Sequence, residues 1–204
     1  MLAVQIAPGL WRWTAPHPEW TAGAAPGSSA YWDRDVGSVM YELDDAVALI
    51  DPLLPVEGRE EFVRLLDERV AGRPVSVLTT THWHRRDREE LAQRYQGRSA
   101  RAWNAVPAGV SPRPLRGAGE TMFWLPRAAA LVCGDRLIGD ARDGLAVCPE
   151  SWLADVRVDR AGVAGLMRGL LELPVERVLV SHGEPVLHDG RAVLARAIAR
   201  ASEG

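Results

Sequence analysis

Four apolar runs in this chain each end on a side chain that can ligate a metal or move a proton. "VALID" ends at Asp51, "SVLTTTHWH" at His82 and His84, "ALVCGD" at Asp135 and "RVLVSH" at His182. Short aliphatic runs bounded by turn residues read as buried β-strands. In α/β proteins the ends of such strands carry the chemistry. The pattern therefore predicts a layered α/β fold with mixed sheets. Three histidines and two aspartates are what a zinc or iron site needs, because imidazole and carboxylate suit these metals. A His-x-His pair at a strand end can turn both rings towards one point once the backbone leaves extended geometry.

The remaining segments fit such a layered chain. "AVQIAPGLWRWTA" reads as two strands about a Pro-Gly turn, and residues 14–30 as a long Pro/Gly/Ala/Ser loop carrying His17 and Trp20. "GSVMYELDDAVALID" gives two strands with a turn at Asp44-Asp45. "VEGREEFVRLLDERVAG" is a helix closed by Gly72. After the strand "PVSVLTT" come a helix in "RRDREELAQRYQ", a short strand in "SARAW" and a proline-rich loop over 104–114. Strands in "GETMFWLP" and "AAALVCGD", a helix in "RVDRAGVAGLMRGLLEL", the strand "RVLVSH" and a last helix in "GRAVLARAIARA" complete the order. No internal repeat breaks the pattern. Residues 1–204 are expected to form a single domain.

Composition removes several functions. All 24 basic residues are arginine, so Schiff-base and lysine general-base mechanisms are excluded. A net charge of −3 argues against a nucleic-acid binder. No apolar run approaches the roughly 18 residues of a membrane span. No basic n-region with a long apolar core opens the chain, so a cytoplasmic protein is expected. Cys133 and Cys148 lack CxxC spacing and read as two reduced cysteines, at least one of them in a strand.

Five segments, in order, resemble the metallo-β-lactamase fold superfamily: "LIDPLLP", "THWHRRD", "LRGAGETMFWLP", "RAAALVCGD" and "VLVSHGEPVL". The last resembles the glyoxalase II-like members. The resemblance implies an αββα sandwich of the α/β (α+β) class, four layers deep, with the site between the two sheets. It also implies that His82, His84, Asp135 and His182 are metal ligands. Asp140, in "LIGD", is a poorer candidate than Asp135 for the bridging aspartate.

The chain departs from the family's T-H-x-H-x-D-H pattern. Arg86 stands where an aspartate ligand belongs, and Asp87 where a histidine belongs. In an ungapped reading Arg116 falls on another metal-binding histidine. These changes add about two positive charges, formally one zinc ion's worth. Arginine does not become a ligand. Arg86 and Arg116 are therefore expected to reach into the old metal pocket and pair with Asp135, Asp87 or Asp51, leaving room for one zinc or iron ion at most, or none.

Two functions follow. One is a hydrolase of small esters or thioesters, with Asp51 and Asp87 as further catalytic candidates and Arg86, Arg116 and His17 holding an anionic small-molecule substrate. The other is a catalytically inactive, metal-free relative that binds an anionic small molecule, or a protein through the tryptophan-rich N-terminal surface. His17 and His188 also read as surface histidines. Nucleic-acid and membrane partners are not expected, and the oligomeric state is left open, a homodimer included.

Overall fold

The computed structural model describes residues 3–96, 98–100 and 106–203. Two β-sheets lie face to face with helices outside. The first has six strands: β1 (Val4–Ala7), β2 (Leu10–Pro16), β3 (Asp35–Glu42), β4 (Val47–Ile50), β5 (Val75–Leu78) and β6 (Arg98–Ala100), in that spatial order. β1 to β4 run antiparallel to their neighbours, whereas β4, β5 and β6 are parallel. Helix α1 (Arg59–Val70) makes the crossover from β4 to β5, and α2 (Arg88–Arg94) the crossover from β5 to β6.

The second sheet contains β7 (Ser111–Leu115), β8 (Glu120–Leu125), β9 (Ala130–Val132) and, after a hairpin and a helix, β12 (Arg177–Leu179). Its order is β12-β9-β8-β7, with β12 parallel to β9 and the rest antiparallel. The hairpin is β10 (Leu137–Asp140) with β11 (Gly144–Val147), and the outer helices are α3 (Arg160–Met167) and α4 (Gly190–Glu203).

Alternation along the strands builds the layers, since successive side chains leave a strand on opposite faces. On β4, Val47 and Leu49 pack with Phe62, Leu66 and Val70 of α1, while Ala48 and Ile50 face the inter-sheet core. On β8, Phe123 and Leu125 enter that same core, while Met122 and Trp124 join Val163, Met167, Leu194 and Ile198 of α3 and α4. Three cores thus separate four layers, helix, sheet, sheet, helix, in agreement with the expected architecture.

Two elements differ from the sequence reading. The segment expected to be a proline-rich loop contains β7, "SPRPL". Its two prolines are tolerated because β7 is an edge strand, where a missing N–H costs no ladder bond. The β10–β11 hairpin was not expected. Asp140 turns it, its Oδ1 accepting the N–H groups of Arg142 and Asp143 at 2.9 Å each. The end of the "SARAW" strand and the start of the 104–114 loop lie outside the described residues.

Each sheet therefore holds a parallel pair, β4 with β5 and β9 with β12, and all four strands present their carboxyl ends at one edge of the sandwich. Asp51, the Thr80–His84 turn, Asp135 and His182 follow these ends directly.

Candidate metal centre

Asp51 leaves β4 with φ 47°, a conformation rarely adopted by a residue with a side chain. The surroundings hold it there. Its Oδ1 accepts Thr80 N–H at 2.8 Å, its Oδ2 accepts the Thr80 hydroxyl, and Oδ2 also lies 2.9 Å from His84 Nδ1. Gly134 packs against this pair so closely that a Cβ there would collide with the Thr80 side chain. Only glycine fits.

His84 is buried with a carboxylate at each ring nitrogen. Nδ1 faces Asp51, and Nε2 lies 3.0 Å from Asp135 Oδ1. Burial alone would lower the pKa of this imidazole, but Asp135 and Asp51 outweigh it and raise it to about 9. Burial likewise pushes both aspartates upward, yet the opposing imidazole charge leaves Asp51 below its ordinary value and Asp135 well below.

His182 Nε2 lies 3.2 Å from the same Asp135 Oδ1. His84, Asp135 and His182 each offer a ligand atom, all within 4.8 Å of one another. Asp135 Oδ1 makes no well-aligned hydrogen bond although two imidazole nitrogens flank it. With bonds of about 2.0–2.2 Å, neighbouring donors on one tetrahedral zinc ion stand about 3.3 Å apart. The spacing and chemistry of these donors thus fit one zinc or iron ion. Asp51 on His84 Nδ1 would fix the tautomer that presents Nε2, the usual role of a carboxylate behind a ligating histidine.

His82 stands apart from this cluster. Its ring is exposed and packs edge-on against Trp83 at 4.5 Å. The backbone leaves extended geometry over residues 82–87 as expected, but the turn buries His84 and leaves His82 exposed, so the two rings do not meet at one point. The turn instead brings the Trp83 indole, still 37% exposed, to the cluster, where its Nε1–H donates to Asp135 Oδ2 at 2.6 Å.

The arginines are also redistributed. Arg86, at φ 38°, reaches the site. Its Nη1 donates to the carbonyls of Gly37 and Asp51 at 2.8 Å each, and its Nη2 to Ser181 Oγ at 2.6 Å. It thus binds backbone and hydroxyl oxygens rather than the expected carboxylates. Burial lowers the Arg86 pKa, opposed by Asp51 and Asp135. Arg116 is exposed and not part of the cavity lining. It follows the end of β7, just before Gly117 and Gly119 turn the chain at φ 96° and 70°. The arginine buried deepest at the site is Arg136, 1% exposed. It donates to the carbonyls of Ala118 and Trp152 at 2.7 and 2.8 Å and lies 5.3 Å from the centre of a Trp83 ring. Sequence reasoning missed Arg136; the signal was a lone charge inside the apolar stretch "VCGDRLIG".

Asp87 is turned away. Its Oδ2 accepts Leu54 N–H at 2.6 Å and its Oδ1 accepts Arg59 Nη2 at 2.8 Å, so it ties the β4 exit loop to α1 rather than facing the cluster. Asp140 is spent on the hairpin turn. Glu120, also missed, lies beneath the Asp135 loop and accepts the N–H groups of Gly134, Asp135 and Arg136 at 2.8–2.9 Å. Burial and the nearby Asp135 raise its pKa to about 7.

A cavity of about 420 Å³ opens above the cluster. His17, from the long early loop, forms part of its wall and stacks edge-on against Trp32 at 5.1 Å. Trp13 and Trp11 are not in the wall. Trp13 packs against Phe62 beside α1, and Trp11 lies under Arg69.

No sequence-family profile and no curated protein matches the chain. Solved structures do. The similar structures include a metallo-β-lactamase from Pontibacter korlensis, at TM-score 0.65 and 16% identity over 100% of this chain and 99% of that one. This chain has the metallo-β-lactamase fold. A metallo-β-lactamase from Erythrobacter litoralis gives TM-score 0.63 and 17% identity, covering 99% of this chain and 92% of that one. A mono-zinc form of an NDM/FIM-1-like metallo-β-lactamase from the same organism gives TM-score 0.60 and 16% identity over 100% and 97%. Identities this low speak to the fold alone. No described helix is long and apolar enough to cross a membrane.

Proposed function

We propose that this protein is a single-metal hydrolase of small esters or thioesters, its ion held by His84, Asp135 and His182. The observation that carries the reading is the convergence of these three donors on one point, with Asp135 Oδ1 between two imidazole nitrogens and without an aligned hydrogen bond. Three ligands with an open fourth position are the pattern of catalytic rather than structural zinc.

When bound, one divalent ion supplies an activated water and a Lewis acid for a carbonyl. The chain's own groups do the rest. Asp51 orients His84. Trp83 occupies Asp135 Oδ2, leaving Oδ1 as the free donor atom. Arg86, fixed by three hydrogen bonds, contributes a positive charge beside the site for a substrate anion or developing oxyanion. That same cation, and the turning away of Asp87, argue against a second ion.

A second reading, a metal-free protein that binds an anion, is favoured by one observation. A His84 imidazole protonated at about pH 9 and below has its charge balanced by a carboxylate beside each ring nitrogen, without an ion. The two readings separate in an assay of a thioester panel with protein stripped by chelator and then reloaded with zinc or iron. The hydrolase reading expects turnover that appears on reloading and is lost in D135N. Equal inactivity of stripped and reloaded protein would sink it.

A further inference from the structure

Tryptophan crowds the metal cluster. The His182 ring is met edge-on by Trp32 at 5.5 Å and 77° and by Trp152 at 5.1 Å and 72°. Trp83 adds a third indole, pinned to Asp135. All three line the cavity, and Trp32 and Trp152 come from distant segments, the long early loop and the turn after β11. Any group that reaches the cluster is thus bordered by aromatic rings on several sides.

Charge selects among flat ligands. The half-buried Arg86 and the buried Arg136 line the cavity; of its acidic members Asp135 is buried between His84 and His182, whereas Glu19 and Asp155 are exposed at the rim, where water screens them. An aromatic wall of this kind with a net acidic floor would suit a quaternary ammonium guest; here the floor is mixed, with two fixed arginines.

We infer that the substrate's acyl group is aromatic: the site takes aryl or arylacetyl esters or thioesters and releases the aromatic carboxylate. This rests on the hydrolase reading above. In the reaction a C–O bond forms from water to the acyl carbon, the C–S or C–O bond to the leaving group breaks, and the leaving thiol or alcohol takes up a proton. No oxidant or second substrate is needed.

Binding and turnover test the inference separately. Quenching of tryptophan fluorescence by phenylacetate, cyclohexylacetate, acetate and benzyltrimethylammonium is followed with both metal-stripped and zinc-loaded protein. Ring-to-ring contacts predict phenylacetate binding roughly three- to tenfold tighter than cyclohexylacetate, and both tighter than acetate. In W32L and W152L the aryl preference should shrink towards one while cyclohexylacetate still binds, which separates loss of the ring from loss of fold. Phenylacetyl and acetyl thioesters of N-acetylcysteamine are compared for thiol release. Aryl preference in binding with no thiol release from any thioester would leave the aromatic subsite standing and remove the hydrolase reading. Thiol release without aryl preference would do the reverse. Equal binding of phenylacetate and cyclohexylacetate, or tighter binding of the ammonium ion, would overturn the inference.

Discussion

Replacing Asp51 by asparagine removes one charge from the interior and little volume. The asparagine oxygen can keep the bond from Thr80 N–H, now 2.8 Å long. Its amide group then faces the Thr80 hydroxyl and His84 Nδ1, which lies 2.9 Å from the present carboxylate. The hydroxyl can rotate to accept. His84 Nδ1 must also accept, which moves the ring proton to Nε2, the nitrogen facing Asp135 and the metal. One charge-assisted hydrogen bond is lost, worth about 1.5–3 kcal/mol. For a chain of this size that lowers the melting temperature of metal-free protein by about 3–12 °C. Zinc affinity should fall by about 10- to 100-fold, the usual cost of disturbing a carboxylate behind a ligating histidine. Circular dichroism melting in chelator and a competition titration of zinc against a fluorescent chelator measure the two effects. A D51N protein that melts with the wild type and holds zinc as tightly would refute the role given to Asp51.

Further outcomes follow from the same geometry. E120Q keeps one acceptor but replaces the other with a donor facing backbone N–H groups, so it should lose about 1–3 kcal/mol in urea unfolding and weaken zinc binding by loosening the Asp135 loop. H82A and R116A change exposed side chains outside the cluster and should stay within about 0.5 kcal/mol of wild type in stability, with zinc affinity unchanged in isothermal titration. The His84 pKa is raised by folding from 6.5 to about 9, so its contribution to stability is complete below pH 6.5 and is lost as pH rises to 9. Asp51 and Asp135 are lowered, so theirs is present above pH 3.8 and is lost in acid. Melting of metal-free protein should therefore decline between pH 6.5 and 9, while zinc binding tightens over the same range because His84 must shed its proton.

How much of this was legible in the sequence differs from residue to residue. The strand ends were legible because a buried run that stops at a charged or imidazole side chain leaves few alternatives. Asp51, His84, Asp135 and His182 all came to one edge as their strands required. His82 was not legible. Spacing of two does not say which way each ring points once the segment turns, which it does as soon as Thr81 has bridged to Glu120. An ungapped reading puts Arg116 in the site because it cannot see a chain reversal built on two positive-φ glycines. Arg136 takes the buried position because it follows Asp135 directly and finds the Ala118 and Trp152 carbonyls. β7 was hidden by its prolines, whose compatibility depends on an edge position that only the finished sheet defines. The aromatic wall was half visible. The N-terminal tryptophans were noticed, but of those only Trp32 lines the cavity, and Trp83 and Trp152 arrive from segments read for other reasons.

The central claim is one metal ion on His84, Asp135 and His182, with His82 uninvolved. Metal analysis by mass spectrometry, on protein purified without chelator or metal-binding tag and then given excess zinc and desalted, tests it most directly. The account predicts about one zinc or iron ion per chain in wild type and in H82A, and essentially none in D135A. Two ions per chain, or loss of the ion in H82A, or no ion in wild type after zinc addition, would contradict it.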